Sequence, residues 1–136
     1  MDLDKSAIRG CKVYTLKTAA ELGAQAECVL GSSPQLLAKL PDAAFDLIYV
    51  DGDHSYSGFC SDLEAARHKV RVGGILAIND FYLFESQFLV SRARFGVYGI
   101  IHATHEFLVR YEGQWEIAYY AFNMMNQGDL GLRRLK

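Results

Sequence analysis

The residues with the clearest chemical potential in this sequence are Asp51, His54, Asn79 and Asp80, which stand at the ends of two apolar runs. Two carboxylates and an amide are hard oxygen donors of the kind magnesium takes, with waters completing its shell; calcium or manganese would suit the same donors. His54 follows Asp51 closely enough to face the same cavity, and an imidazole with a near-neutral pKa can take a proton from a hydroxyl.

Such chemistry requires the four residues to converge, and the flanking pattern supplies the means. Phe45 to Val50 is apolar apart from Asp46, which predicts a strand covered on both faces, as in a parallel sheet between helices. Ser57 to Val70 reads as a helix, with Phe59, Leu63, Ala66 and Val70 on one face. Gly73-Gly74 then turns the chain into a strand from Ile75 to Ile78. Strand, helix and strand with short connections make a right-handed crossover, so the two strands run parallel. Adjacent strands lie about 4.8 Å apart, and ligands bind outside the carboxyl ends of such sheets. Asp51 and Asn79-Asp80 both occupy that edge. The competing reading is structural: Asp51 and Asp53 could cap the following helix or satisfy the turn, and His54 could fix the turn through a backbone hydrogen bond. His68, His102 and His105 read as surface or packing residues.

The remaining elements frame this centre. Lys5 to Leu22 is rich in helix formers, with Ile8, Cys11, Ala19 and Leu22 compatible with one apolar stripe and Gly23 as a stop. Glu27 to Leu30 reads as a short strand, followed by Gly31-Ser32-Ser33 and a helix that starts at Pro34 and runs through Gln35 to Leu40. Backbone amides at Ser32 and Ser33 could receive a polar ligand at the start of that helix. Phe81 to Phe95 reads as a partly buried loop or helix near the strand ends, and so as a lid. Val97 to Tyr111 reads as a helix, and Trp115 to Phe122 with Leu130 to Leu135 as a terminal hairpin.

Composition bounds the rest. At 136 residues, with 51% hydrophobic and 22% charged residues, the chain fits one domain spanning 1–136 with a real core. A net charge of −2 with interspersed signs gives no footprint for nucleic acid and no polybasic membrane patch, so a small-molecule partner is expected. No apolar segment is long enough to span a bilayer, and Met1-Asp2-Leu3-Asp4 lacks a signal peptide's basic start. Cys11, Cys28 and Cys60 lack metal-type spacing and read as buried free thiols, consistent with a cytoplasmic location. No glycine-rich phosphate loop or nucleophile elbow is present.

The combination Phe45-Asp-Leu-Ile-Tyr-Val-Asp-Gly-Asp-His-Ser-Tyr56 and Val72-Gly-Gly-Ile-Leu-Ala-Ile-Asn-Asp-Phe81 resembles the second half of a class I S-adenosylmethionine-dependent methyltransferase, in particular the small-molecule branch with an Asp-Gly-Asp-His strand end. The resemblance extends more weakly from Asp2 to Leu135. It implies an α/β fold: a partial Rossmann-like, doubly wound, mostly parallel sheet with a C-terminal antiparallel hairpin. It also implies that Asp51, Asn79 and Asp80 match positions holding a divalent metal in the metal-dependent members, and that His54 matches a proposed base. The metal would orient a small-molecule hydroxyl and lower its pKa for methyl transfer. Asn79 stands where relatives commonly carry aspartate, which leaves one negative charge fewer.

A larger departure concerns the cofactor. Family members begin with a strand, a glycine-rich loop and a helix that hold the methionine part, and this chain lacks that loop. Asp2 or Asp4 would be the ribose-binding acid, while Ser32 stands where relatives often carry an adenine-contacting acid; Ser33 and Asp51 complete the expected cofactor contacts. In the family's sheet, two strands would lie between Glu27–Leu30 and Phe45–Val50. Their absence should expose two strand edges, unless the sheet closes differently; otherwise an N-terminal segment of a longer protein or another copy of the chain in a homo-oligomer would cover them. The expected activity is metal-assisted O-methylation. The alternatives are a noncatalytic binding or oligomerisation module and a metal-assisted hydrolysis or hydroxylation.

Overall fold

The computed structural model describes residues 5–81, 99–122 and 128–136, which form two compact units, 1–31 and 32–136. The first contains helix α1, Lys5–Glu21. Gly23, at φ +67°, ends it as the sequence predicts, because the left-handed turn carries no steric cost without a Cβ. Glu27 to Leu30 is not a strand. A strand is held by a ladder and by burial, but no described strand pairs with this segment, and Val29 and Leu30 are 58% and 70% exposed.

The second unit contains α2, Ser33–Leu37; β1, Phe45–Val50; α3, Tyr56–Ala66; β2, Val70–Ile78; α4, Ile100–Arg110; β3, Trp115–Phe122; and β4, Gly128–Arg134. The four strands make one sheet in the order β1-β2-β4-β3. β1 and β2 are parallel through the α3 crossover, while β4 runs antiparallel to β2 and forms the terminal hairpin with β3. This is a partial Rossmann-like sheet, with its parallel part in the β1–β2 pair.

Helix α3 is shorter than the apolar spacing predicts. Val70 belongs to β2, where it pairs with Phe45. The register then jumps from Phe45↔Val70 to Leu47↔Ile75, and the surplus residues around Gly73, at φ +81°, form a bulge. Gly73-Gly74 is therefore an irregularity within the strand rather than a turn that starts it. Val97 and most of the Phe81–Phe95 segment fall outside the described residues, as do residues 123–127 of the hairpin connection.

One face of the sheet packs against α3 and α4. Phe59, Leu63 and Ala66 from α3 and Ile100, Ala103 and Phe107 from α4 join Val50, Leu76, Ile78, Leu130 and Leu132 in a single core. Among the described residues of this unit, the other face is left uncovered at β1. Leu47 and Tyr49 are 55% and 49% exposed, so β1 is an edge strand covered on one side only, contrary to its apolar sequence. Cys28 and Cys60 are free but only half-buried.

Candidate functional site

Strand alternation decides which side chains meet. Ile48 and Val50 turn toward the helices, which sends Tyr49, and by continuation Asp51, to the open side. Ile78 is buried in the core, so Asn79 follows Tyr49 and Asp51. β4 enters antiparallel beside the end of β2, with Ile78 opposite Leu130, and this brings Asp129 to the same edge.

The turn after β1 is held by local hydrogen bonds. Asp53 Oδ1 accepts from the Ser55 amide at 2.9 Å, and Ser55, the N-cap of α3, accepts from the Gly58 amide at 3.1 Å. The structural role considered for the acids thus belongs to Asp53. Gly52 gives Asp62 room, because a Cβ would sit 2.6 Å from Asp62 Oδ2 and the Asp62 carboxylate would have to shift. The His54 carbonyl accepts from the Gly99 amide at 2.9 Å, which ties the loop to the start of α4.

On this support Asp51, His54, Asn79 and Asp80 come together as the sequence predicts. Asn79 Nδ2 donates to Asp51 Oδ1 at 3.0 Å. His54 lies between the two acids, with Nε2 3.4 Å from Asp51 Oδ1 and Nδ1 4.0 Å from Asp80 Oδ2. Asp80 adopts φ +54°, a left-handed conformation that aspartate tolerates better than most residues and that recurs at functional turns. Phe81 anchors the backbone beside Asp80: its amide donates to the Gly128 carbonyl at 2.7 Å, and Tyr120 Oη donates to its carbonyl at 3.1 Å.

Two members were missed from sequence. Tyr49 Oη lies 2.7 Å from Asn79 Oδ1 and 2.9 Å from Asp129 Oδ2. Burial, together with the hydrogen bond and charge of Asp129 and the charges of Asp51 and Asp80, pushes the Tyr49 phenol up to about 12, so it keeps its proton at neutral pH. Tyr49 was legible in principle, since it precedes Asp51 by one alternation period. Asp129 was not, because only the β2–β4 register brings it here.

The expected metal ligands form no ready cage. Among the described residues no group of three or more His, Cys, Asp or Glu side chains could hold a metal ion, and Asn79 turns its amide nitrogen, not its oxygen, toward Asp51. The spacing is nonetheless suitable. Neighbouring oxygens on a magnesium octahedron with bonds of about 2.0–2.1 Å stand about 2.9 Å apart, close to the 3.0 Å between Asn79 and Asp51. As placed, however, the described residues do not fit a cation, because the Asn79 amide would have to turn end for end before its oxygen joined Asp51.

The expected cofactor contacts divide similarly. Ser33 Oγ donates to the buried Asp62 at 2.6 Å and so ties α2 to α3. Ser32 is exposed at the start of α2 and makes no side-chain cap there. Ser32 and Asp51 have the hydroxyl and carboxylate chemistry to meet a polar cofactor; Asp2 and Asp4 lie outside the described residues. His68, His102 and His105 are not buried in the core, and the His105 ring packs at 6.4 Å from Phe81.

Comparison with known proteins bears on the family and the fold. Residues 4–81, more than half of the chain, match the sequence profile of a family described as a methyltransferase domain. No curated protein matches the sequence. Among solved structures, a putative rRNA-methylase from Clostridium thermocellum superposes with a TM-score of 0.61 at 13% identity, covering 98% of this chain and 73% of that one. A Pyrococcus horikoshii protein gives 0.60 at 16% identity, with coverages of 99% and 69%. A Corynebacterium glutamicum protein gives 0.58 at 15% identity, and the chain, 87% covered, spans 53% of its length. These likenesses establish the fold. No described helix is long and apolar enough to cross a membrane.

Proposed function

The chain belongs to the methyltransferase domain family, and from that premise we propose that it takes part in S-adenosylmethionine-dependent methylation of a small-molecule hydroxyl. The observation that carries this reading is the convergence of Asp51, His54, Asn79 and Asp80 at the carboxyl ends of two adjacent parallel strands. When bound, S-adenosylmethionine supplies an electrophilic methyl group on a sulfonium. His54 would take the acceptor's hydroxyl proton on a ring nitrogen, while the bound cofactor would supply the methyl group and depart as the neutral thioether. Asp51 and Asp80, on opposite sides of the ring, orient His54. Ser32 and Asp51 are the described residues offered to the cofactor.

The Clostridium neighbour is named for rRNA. Here three acids, Asp51, Asp80 and Asp129, surround the site on a chain of net charge −2, an arrangement that repels a phosphate backbone and favours a small acceptor. Calorimetric titration with S-adenosylmethionine, with and without magnesium, tests the proposal. Saturable heat is expected. A folded chain that gives no heat with the cofactor would instead favour a noncatalytic binding or oligomerisation module.

A further inference from the structure

Nitrogen groups already surround the Asp51 carboxylate. Two of them converge on its Oδ1, the Asn79 amide Nδ2 at 3.0 Å and His54 Nε2 at 3.4 Å. The His54 ring also stands between Asp51 and Asp80, with Nδ1 4.0 Å from Asp80 Oδ2. A divalent cation of the magnesium type needs oxygens that converge on one point. Here an N–H lies between Asp51 and Asn79 and an imidazole lies between Asp51 and Asp80, so neither pair closes on an ion. Asn79 is held in this orientation from several sides. Its backbone amide donates to the Val50 carbonyl at 3.0 Å, which fixes it beside the end of β1. From there its side chain spans Tyr49 and Asp51: Oδ1 accepts from the Tyr49 phenol at 2.7 Å, and Nδ2 donates to the Asp51 carboxylate. Only an amide can do both, because it carries a donor and an acceptor on one planar group. The bond to Asp51 is charge-assisted and so the stronger of the two; the reversed amide would set its oxygen against the carboxylate with no proton between them.

We propose that Asn79 is an amide pin that stands in for a divalent cation, joining the ends of β1 and β2 and holding Asp51 against His54, so that the site is organised independently of magnesium. This rests on the methyltransferase reading of the same site and deepens it: the acceptor's proton goes to His54 with no metal to assist. Asn79 is a positioning residue, since it acts on the acceptor only through Asp51 and His54.

Magnesium titration of the whole chain, of Asn79→Asp and of Asn79→Ala, by calorimetry and by denaturant unfolding with no cofactor present, tests the pin. The unsubstituted chain should give no saturable magnesium heat and no magnesium-dependent change in stability. Asn79→Asp trades the donor for a carboxylate facing Asp51, so its folding equilibrium constant should fall roughly tenfold, the value of a hydrogen bond to a charged group, and magnesium should restore much of the loss. Asn79→Ala should lose stability without being restored, because it offers a cation nothing. A magnesium-insensitive Asn79→Asp would overturn the pin, since a merely structural asparagine predicts that result. Should Asn79→Asp fail to fold, the unsubstituted chain decides alone: its Asn79 side-chain amide NMR signals should stay in place as magnesium is added and should move in Asp51→Ala. Saturable magnesium binding by the unsubstituted chain, or Asn79 signals that shift with it, would overturn the pin and leave the methyltransferase reading standing. A folded chain that gives no heat with S-adenosylmethionine would count against that reading, while the cofactor-free magnesium titrations would still decide the pin.

Discussion

The two faces of the sheet differ in what they ask of a side chain. On the helix-packed face Phe59, Leu76, Ile78, Ile100 and Leu132 are fully buried, and each position demands apolar volume. On the opposite face one row runs Tyr49, Ala77, Gly131, Tyr119, with both tyrosines substantially exposed, and the next residues toward the carboxyl edge are Asp51, Asn79 and Asp129. The packed face fixes where the strands lie; the open face carries the groups that can do chemistry. A single backbone pleat serves both purposes, because successive residues alternate between them.

This contrast can be attacked from its strongest side first. Phe59→Ala should cost about 3–5 kcal/mol of unfolding free energy through lost burial and a cavity, measured by denaturant titration; a loss below about 1 kcal/mol would mean that α3 does not anchor the core. Gly131→Ala comes next, since a Cβ there would overlap the Tyr119 ring. It should cost about 1–3 kcal/mol, with much of the loss recovered when Tyr119→Ala is added. Ser55→Ala removes the α3 cap that supports the His54 loop and should cost about 1 kcal/mol. If S-adenosylmethionine affinity also drops, the loop geometry matters to binding as well as to folding.

Smaller effects sharpen the distinction. Burial raises the Glu64 pKa, but hydrogen bonds from Tyr111, Arg67 and Arg110 outweigh it and leave the group below the usual 4.5. Its contribution is present above the unfolded-state pKa and is lost as pH falls through the lower folded value. Glu64→Gln should accordingly flatten stability against pH on the acid side of about 4.5 and leave the alkaline limb unchanged; an unchanged acid limb would remove Glu64 from the account. Leu47→Ser, at the open face, should fall within about 0.5 kcal/mol of the parent. A cost of several kcal/mol there would mean that this face is covered in solution.

The sequence made the packed face more readable than the open one. Periodicity located α1, α3, α4, β1, β2 and the hairpin, because each has apolar residues at spacings that only one secondary structure can bury. It failed at Glu27 to Leu30, where a strand-like composition has no ladder to join, and at Val70 to Gly74, where pairing with Phe45 overrides the helical spacing. It also treated the apolar β1 as doubly covered, since an apolar run does not reveal whether a second layer exists. In the site, Asp51, His54, Asn79 and Asp80 were visible because strand ends in a crossover are predictably adjacent. The structural role of Ser33 and the part played by Asp129 depend on tertiary register that no local pattern encodes, whereas Tyr49 could have been read from its alternation with Asp51.

The Tyr49–Asp129 contact joins residues 80 positions apart, and that separation has a consequence for folding order. Contacts closed over long loops form late, after the local crossover has collapsed. During synthesis β1, α3 and β2 can associate well before the strand bearing Asp129 has been made, so an incomplete chain can hold Asp51 beside Asn79 while the phenol lacks its carboxylate partner. Completion of the hairpin would then be the event that matures the site, and the state of Tyr49 would report whether the last strand has docked.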